Sequence, residues 1–179
     1  MISLAAAFWL LVIIFGVIGG MRGWAKEVLV TFSAILALFI LAVLERYVPP
    51  VRAFLDTKNG TPVFWTRTIV VLLLVFFGYQ TPNIPKLSGG KFARDKLSDV
   101  LLGFVLGLLN GFLIIGSIWY FLEQSNYPFP KIILPPRAEF PGYEAAQDLL
   151  PLLAPRWLGI PTIFFAVILF ALFVLVVFI

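Results

Sequence analysis

Five apolar runs dominate this chain: Ile2–Ile18, Trp24–Leu44, Val63–Tyr79, Ser98–Leu122 and Ile160–Ile179. A hydrocarbon core about 30 Å thick is crossed by about 17–25 helical residues. Lipid offers no partner to a bare N–H or C=O, so runs of this kind must close their backbone hydrogen bonds within themselves, as helices. The expected fold is therefore all-α, a polytopic transmembrane helix bundle with a four-helix core and a fifth C-terminal span. A soluble alternative fails on composition. The chain is 61% apolar and 12% charged, whereas soluble domains carry about 25% charged residues. The division that follows is residues 1–124 as the four-helix membrane domain, 125–160 as a proline-rich extracytoplasmic loop, and 161–179 as the fifth span.

The fourth run, SDVLLGFVLGLLNG, carries Gly103, Gly107 and Gly111 at steps of four. Four residues is just over one helical turn, so these glycines form one smooth ridge. Small residues let helix backbones approach closely in lipid. The first run ends in glycine as well: Gly16 and Gly20 make one small-xxx-small pair, and Gly19 and Gly23 another. Two uses are open for this helix-packing face: packing inside the monomer, or contact with a second copy or a partner. A plainer reading makes Gly19, Gly20 and Gly23 only a turn. Asn110 falls near mid-membrane, where a buried amide wants a polar partner on another helix or another chain. Thr31 and Ser33 can each bond to the preceding turn of their own helix.

The turn GGMRGWAKE is short and makes the first two helices an antiparallel hairpin. Arg22, Lys26 and Glu27 lie there at the membrane edge, with Asp99 on the same side at the start of the fourth helix. Two readings are open for this interfacial ionic cluster. In one, Asp99 pairs with Arg22 or Lys26 and locks the hairpin to helix four. In the other, Ser98 or Asp99 caps its own helix and the cations reach lipid headgroups. The loop before helix four holds Lys86, Lys91, Arg94 and Lys96 against Asp95 alone. It is a topology signal or a surface for anionic lipid headgroups. Pro49-Pro50 stops helix two, and Val51–Leu55 is expected on the membrane surface. Seven prolines between Glu123 and Ile160 rule out a long helix there; Tyr143–Ala154 reads as a short amphipathic helix kinked at Pro151 and resting on the membrane.

Counting basic residues does not orient the chain. Loops one and three hold six, and loops two and four hold seven. Loop three is compact and strongly basic, while loop four is rich in acids, so loops one and three are placed in the cytoplasm. The N-terminus is then outside and the C-terminus, after five spans, cytoplasmic. The first run lacks the basic start and cleavage site of a signal peptide and is expected to be retained.

Two segments together resemble the colicin V production protein (CvpA-like) family. One is the family's GxxxGxRGxxxE, matched by Gly20, Arg22, Gly23 and Glu27. The other is its DRxLGxxxGxxRG, matched by Asp99, Leu102, Gly103, Gly107 and Gly111. Val100 and Asn110 stand where the family usually has arginine. The resemblance covers residues 1 to about 124. It implies a bacterial inner-membrane protein of four helices, linked to colicin V production or export and to envelope homeostasis. Some relatives carry an extracytoplasmic protease after helix four, which places residues 123–160 outside.

With no Cys and no His, thiolate sites and the commonest general base are absent from the chain. No phosphate-binding loop of the GxxxxGK[ST] kind occurs. The reading is a non-enzymatic membrane protein without cofactor or metal, an accessory or scaffold for toxin export and envelope upkeep. Its partners are the lipid bilayer and either its own copies or an envelope or export protein, not nucleic acid. The alternative is an oligomeric channel or small-solute transporter.

Overall fold

The computed structural model describes residues 3–55, 60–80 and 96–178. Helix α1 spans Leu4–Arg22, capped by the Ser3 hydroxyl, which accepts from the Ala6 N–H at 3.2 Å. Gly23 then turns the chain with φ +86°, its N–H donating to the Gly19 carbonyl at 3.0 Å. Such a φ strains any residue with a Cβ. Helix α2, Trp24–Tyr47, returns antiparallel and stops at Val48, ahead of Pro49-Pro50. Pro49–Leu55 forms a short helix, α3, and its Leu55 side chain is buried. Helix α4, Gly60–Tyr79, begins three residues before the apolar run expected at Val63.

Helix α5, Lys96–Gln124, is the longest at 29 residues. At about 1.5 Å per residue it is about 43 Å long, more than the hydrocarbon layer needs. It ends where Asn126 and Tyr127 take left-handed φ values of 54° and 49°. Beyond it come α6 (Tyr143–Leu149), a 3-10 turn (Leu150–Leu152), α7 (Ala154–Trp157) and α8 (Thr162–Phe178). Among the described residues, α1, α2, α4 and α5 are long and apolar enough to cross a membrane; α8 is apolar but only 17 residues. The chain is a multi-pass helical membrane bundle.

Helix α2 is the hub and packs on α4, α5 and α8. Its Val30, Ala34, Ala37, Leu38 and Leu41 face Val71 and Val75 of α4 and Leu113 and Ile114 of α5 in one buried cluster. Helix α1 lies antiparallel against α5, and its far side, with Leu10, Ile13 and Val17, is exposed. In a bilayer that side meets lipid.

The segment 143–154 departs from expectation in what covers it. The short helix forms over Tyr143–Leu149 and breaks at Pro151 into a 3-10 turn, but its apolar face is covered by protein. Its apolar residues Ala146, Leu149, Leu150 and Leu153 pack on Ala5, Phe8 and Val12 of α1 and on Trp119 of α5. The crevice between α1 and α5 gives those side chains denser contact than fluid lipid does. Leu153 is completely buried, so the segment is a lid on one end of the bundle.

Candidate functional site

The site is at the other end, where α1 turns into α2, α4 stops and α5 starts. Glycine builds it. A Cβ on Gly103 would stand 2.5 Å from the Gly19 carbonyl oxygen, and one on Gly107 would stand 3.0 Å from the Cα atoms of Gly16 and Gly19. A Cβ on Gly111 would meet Phe15 Cβ at 2.8 Å and Val12 Cα at 3.0 Å. Gly16 gives room to Leu108 and Phe104 of α5. The two backbones therefore interlock, and the ridge packs inside the monomer. Gly20 is looser, 3.4 Å from the Val100 carbonyl oxygen by the same construction. Gly19 is at the centre of the contact, beyond any role in a turn.

That interlock brings α5 side chains to the α1–α2 turn. Asp99 Oδ1 accepts from the Trp24 N–H at 3.1 Å. The missing side chain of Gly23 makes the room: a Cβ there would sit 2.9 Å from both carboxylate oxygens. Asp99 thus caps the N-terminus of α2 from another helix, where the free N–H groups and the helix dipole favour an anion. This corrects two expectations. Asp99 does not cap its own helix, which begins at Lys96, and of the two cations expected to pair with it, Arg22 pairs with Glu27 instead. Lys26 is half-buried in the first turn of α2, and Lys96 is exposed. Lys86, Lys91 and Arg94 lie outside the described residues.

Arg22 turns inward. Its Nη1 donates to Glu27 Oε1 in an ion pair, and its Nη2 donates to the Tyr79 carbonyl at 3.2 Å. The guanidinium also stacks 4.4 Å from the centre of the Tyr79 ring. Glu27 is completely buried between the helices. Its second oxygen accepts from Asn110 Nδ2 at 2.7 Å, and the same nitrogen reaches the Glu27 carbonyl at 3.0 Å. Thr31 Oγ1 donates to Asn110 Oδ1 at 2.6 Å.

One network therefore ties together all four long helices: Arg22 from α1, Glu27 and Thr31 from α2, Tyr79 from α4 and Asn110 from α5. An unpaired carboxylate at this depth would be very costly. Here each of its oxygens has a donor. Sequence reading missed Tyr79 and the inward reach of Glu27. The available signal was the i, i+4 spacing of Glu27 and Thr31, which puts both on one face of α2. The described residues hold no group of His, Cys, Asp or Glu suited to a metal.

Residues 4–134 match the family model described as Colicin V production protein. No curated protein and no solved structure matches the chain.

Proposed function

The chain belongs to the colicin V production protein family, and on that premise we propose that it is a non-enzymatic scaffold of the bacterial inner membrane. The family ties it to colicin V production; the proposed part is an accessory role in toxin export and envelope upkeep. The observation that carries this reading is the closed polar network. Arg22, Glu27, Thr31 and Asn110 bond to one another and Arg22 also to the Tyr79 carbonyl, so they fix the relative placement of four helices. The outward faces, such as Leu101, Val105 and Leu109 on α5, remain exposed. A rigid bundle with apolar flanks suits docking of other membrane proteins.

A photo-cross-linker at Val105, which is 59% exposed, tests this in cells making the protein near its natural level. The expected result is an adduct to one defined foreign protein. Adducts only at multiples of the chain's own mass favour an oligomer. A channel or transporter is the second reading, and Glu27 favours it, because buried carboxylates among membrane helices mark ion and proton pathways. Solute flux in liposomes that vanishes on Glu27→Gln would move the assignment there.

The proposed orientation has the N-terminus outside and, with α8 as a fifth span, the C-terminus in the cytoplasm. Support comes from the shared end of the α1–α2 turn and the start of α5, which keeps Arg22, Lys26 and Lys96 on one side. Anionic lipid is the proposed partner there. A reporter fused after Ile179 and active only outside the cell would overturn this.

A further inference from the structure

Where α2 ends, three arginines line one groove. Arg46, Arg52 and Arg67 surround a cavity of about 350 Å³ with Glu45, Ala42 and Leu55. A narrower crevice of about 180 Å³ adjoins it, also lined by Ala42, Glu45 and Arg67, and runs along α2 past Leu38, Leu41 and Phe121. Glu45 is the single acid among the described lining residues of either, and it accepts from Arg67 Nε at 2.9 Å. Arg46, exposed at the mouth, adds a positive charge that Glu45, held by Arg67, does not cancel, and the floor is apolar. Arg67 is sunk into it, with its side chain 16% exposed. Tyr47, Trp65 and Trp157 are exposed at this same end of the bundle. Aromatic residues of that kind sit at headgroup level.

We propose that this groove binds the phosphate of an anionic phospholipid, with one acyl chain lying in the crevice along Leu38, Leu41 and Phe121. The guanidinium fork matches phosphate oxygens in pairs, which a lysine cannot do. A zwitterionic lipid offers the same chain without the net charge. A free phosphate offers the same oxygens without the chain. The site is separate from the Glu27 network and does not depend on the scaffold reading.

The test is native mass spectrometry of the purified full-length protein in detergent, titrated with phosphatidylglycerol, phosphatidylcholine or glycerol phosphate. One phosphatidylglycerol per chain is expected, held on the order of tenfold more tightly than phosphatidylcholine. Arg46→Gln/Arg52→Gln should lose roughly tenfold of that affinity, since both arginines are exposed and the Arg67–Glu45 pair is kept. Lys131→Gln/Arg137→Gln removes equal charge elsewhere and should lose none. Equal retention of the two lipids overturns the proposal without any variant. So does equal weakening by both double variants, which would mean bulk charge alone. Glycerol phosphate binding as tightly as the lipid would make this a free-phosphate site and overturn the lipid assignment.

Discussion

Asn110 Nδ2 donates to Glu27 Oε2 at 2.7 Å across the boundary between α5 and α2. Arg22 holds the other carboxylate oxygen. Removing one partner of a buried ion pair leaves an uncompensated charge, which costs about 3–5 kcal/mol. Arg22→Gln should therefore destabilise the bundle more than Arg22→Gln/Glu27→Gln together. A double-mutant cycle on thermal unfolding in detergent checks this. Additive losses would mean that the two side chains do not share the interaction.

The α1–α5 contact predicts a ranking among glycines. Gly107→Leu has no room, because Phe15, Gly16 and Gly19 of α1 lie against the position. Overpacking by a single methyl group typically costs about 1–3 kcal/mol, and Leu adds far more volume. Gly103→Ala should also destabilise, while Gly20→Ala, with 3.4 Å to its nearest neighbour, should be nearly neutral. The chain has no native cysteine, so a pair introduced along α1 and α5 reports the contact directly. Disulfide formation that survives Gly107→Leu would contradict the interlock.

Asp99 acts on α2, and this gives a prediction about charge exchange. Asp99→Ala should cost about 0.5–2 kcal/mol, the range for a lost N-cap. Gly23→Ala should cost more, since it combines an unfavourable φ with displacement of the Asp99 carboxylate. Asp99→Arg/Arg22→Asp should show no rescue over the single changes, because Asp99 serves Trp24 and Arg22 serves Glu27. Unfolding temperatures of the three proteins decide it, and recovery in the double variant would restore the direct pairing.

The bundle was legible in the sequence because apolar length and the steps of four among Gly103, Gly107 and Gly111 are local patterns. The partner of Asp99 was not legible. Its acceptor role depends on the room that Gly23 leaves, 76 residues earlier in the chain. Glu27 was read from its flanks, Lys26 and Arg22, which look like a membrane edge. Its burial comes from Asn110, a residue that only tertiary packing brings near. The lid over 143–154 was missed for a similar reason. An amphipathic face looks the same in sequence whether lipid or Phe8 and Trp119 will cover it.

Tyr127, just beyond the end of α5, gives the last prediction. Its hydroxyl accepts from Trp119 Nε1 at 3.3 Å. Burial raises its pKa above the ordinary 10.0, and the nearby Glu123 charge adds to this, against the Trp119 bond. The folded state thus favours the neutral phenol more than the unfolded state does. The stabilisation is fully present below pH 10.0 and is lost as pH rises through the folded value. The unfolding temperature should fall above that pH, and Tyr127→Phe should flatten the fall. The same variant removes the acceptor of the Trp119 N–H and should cost about 1 kcal/mol at neutral pH. Unfolding followed by tryptophan fluorescence from pH 8 to 12 measures both effects. An alkaline slope identical in the two proteins would show that Tyr127 does not control it.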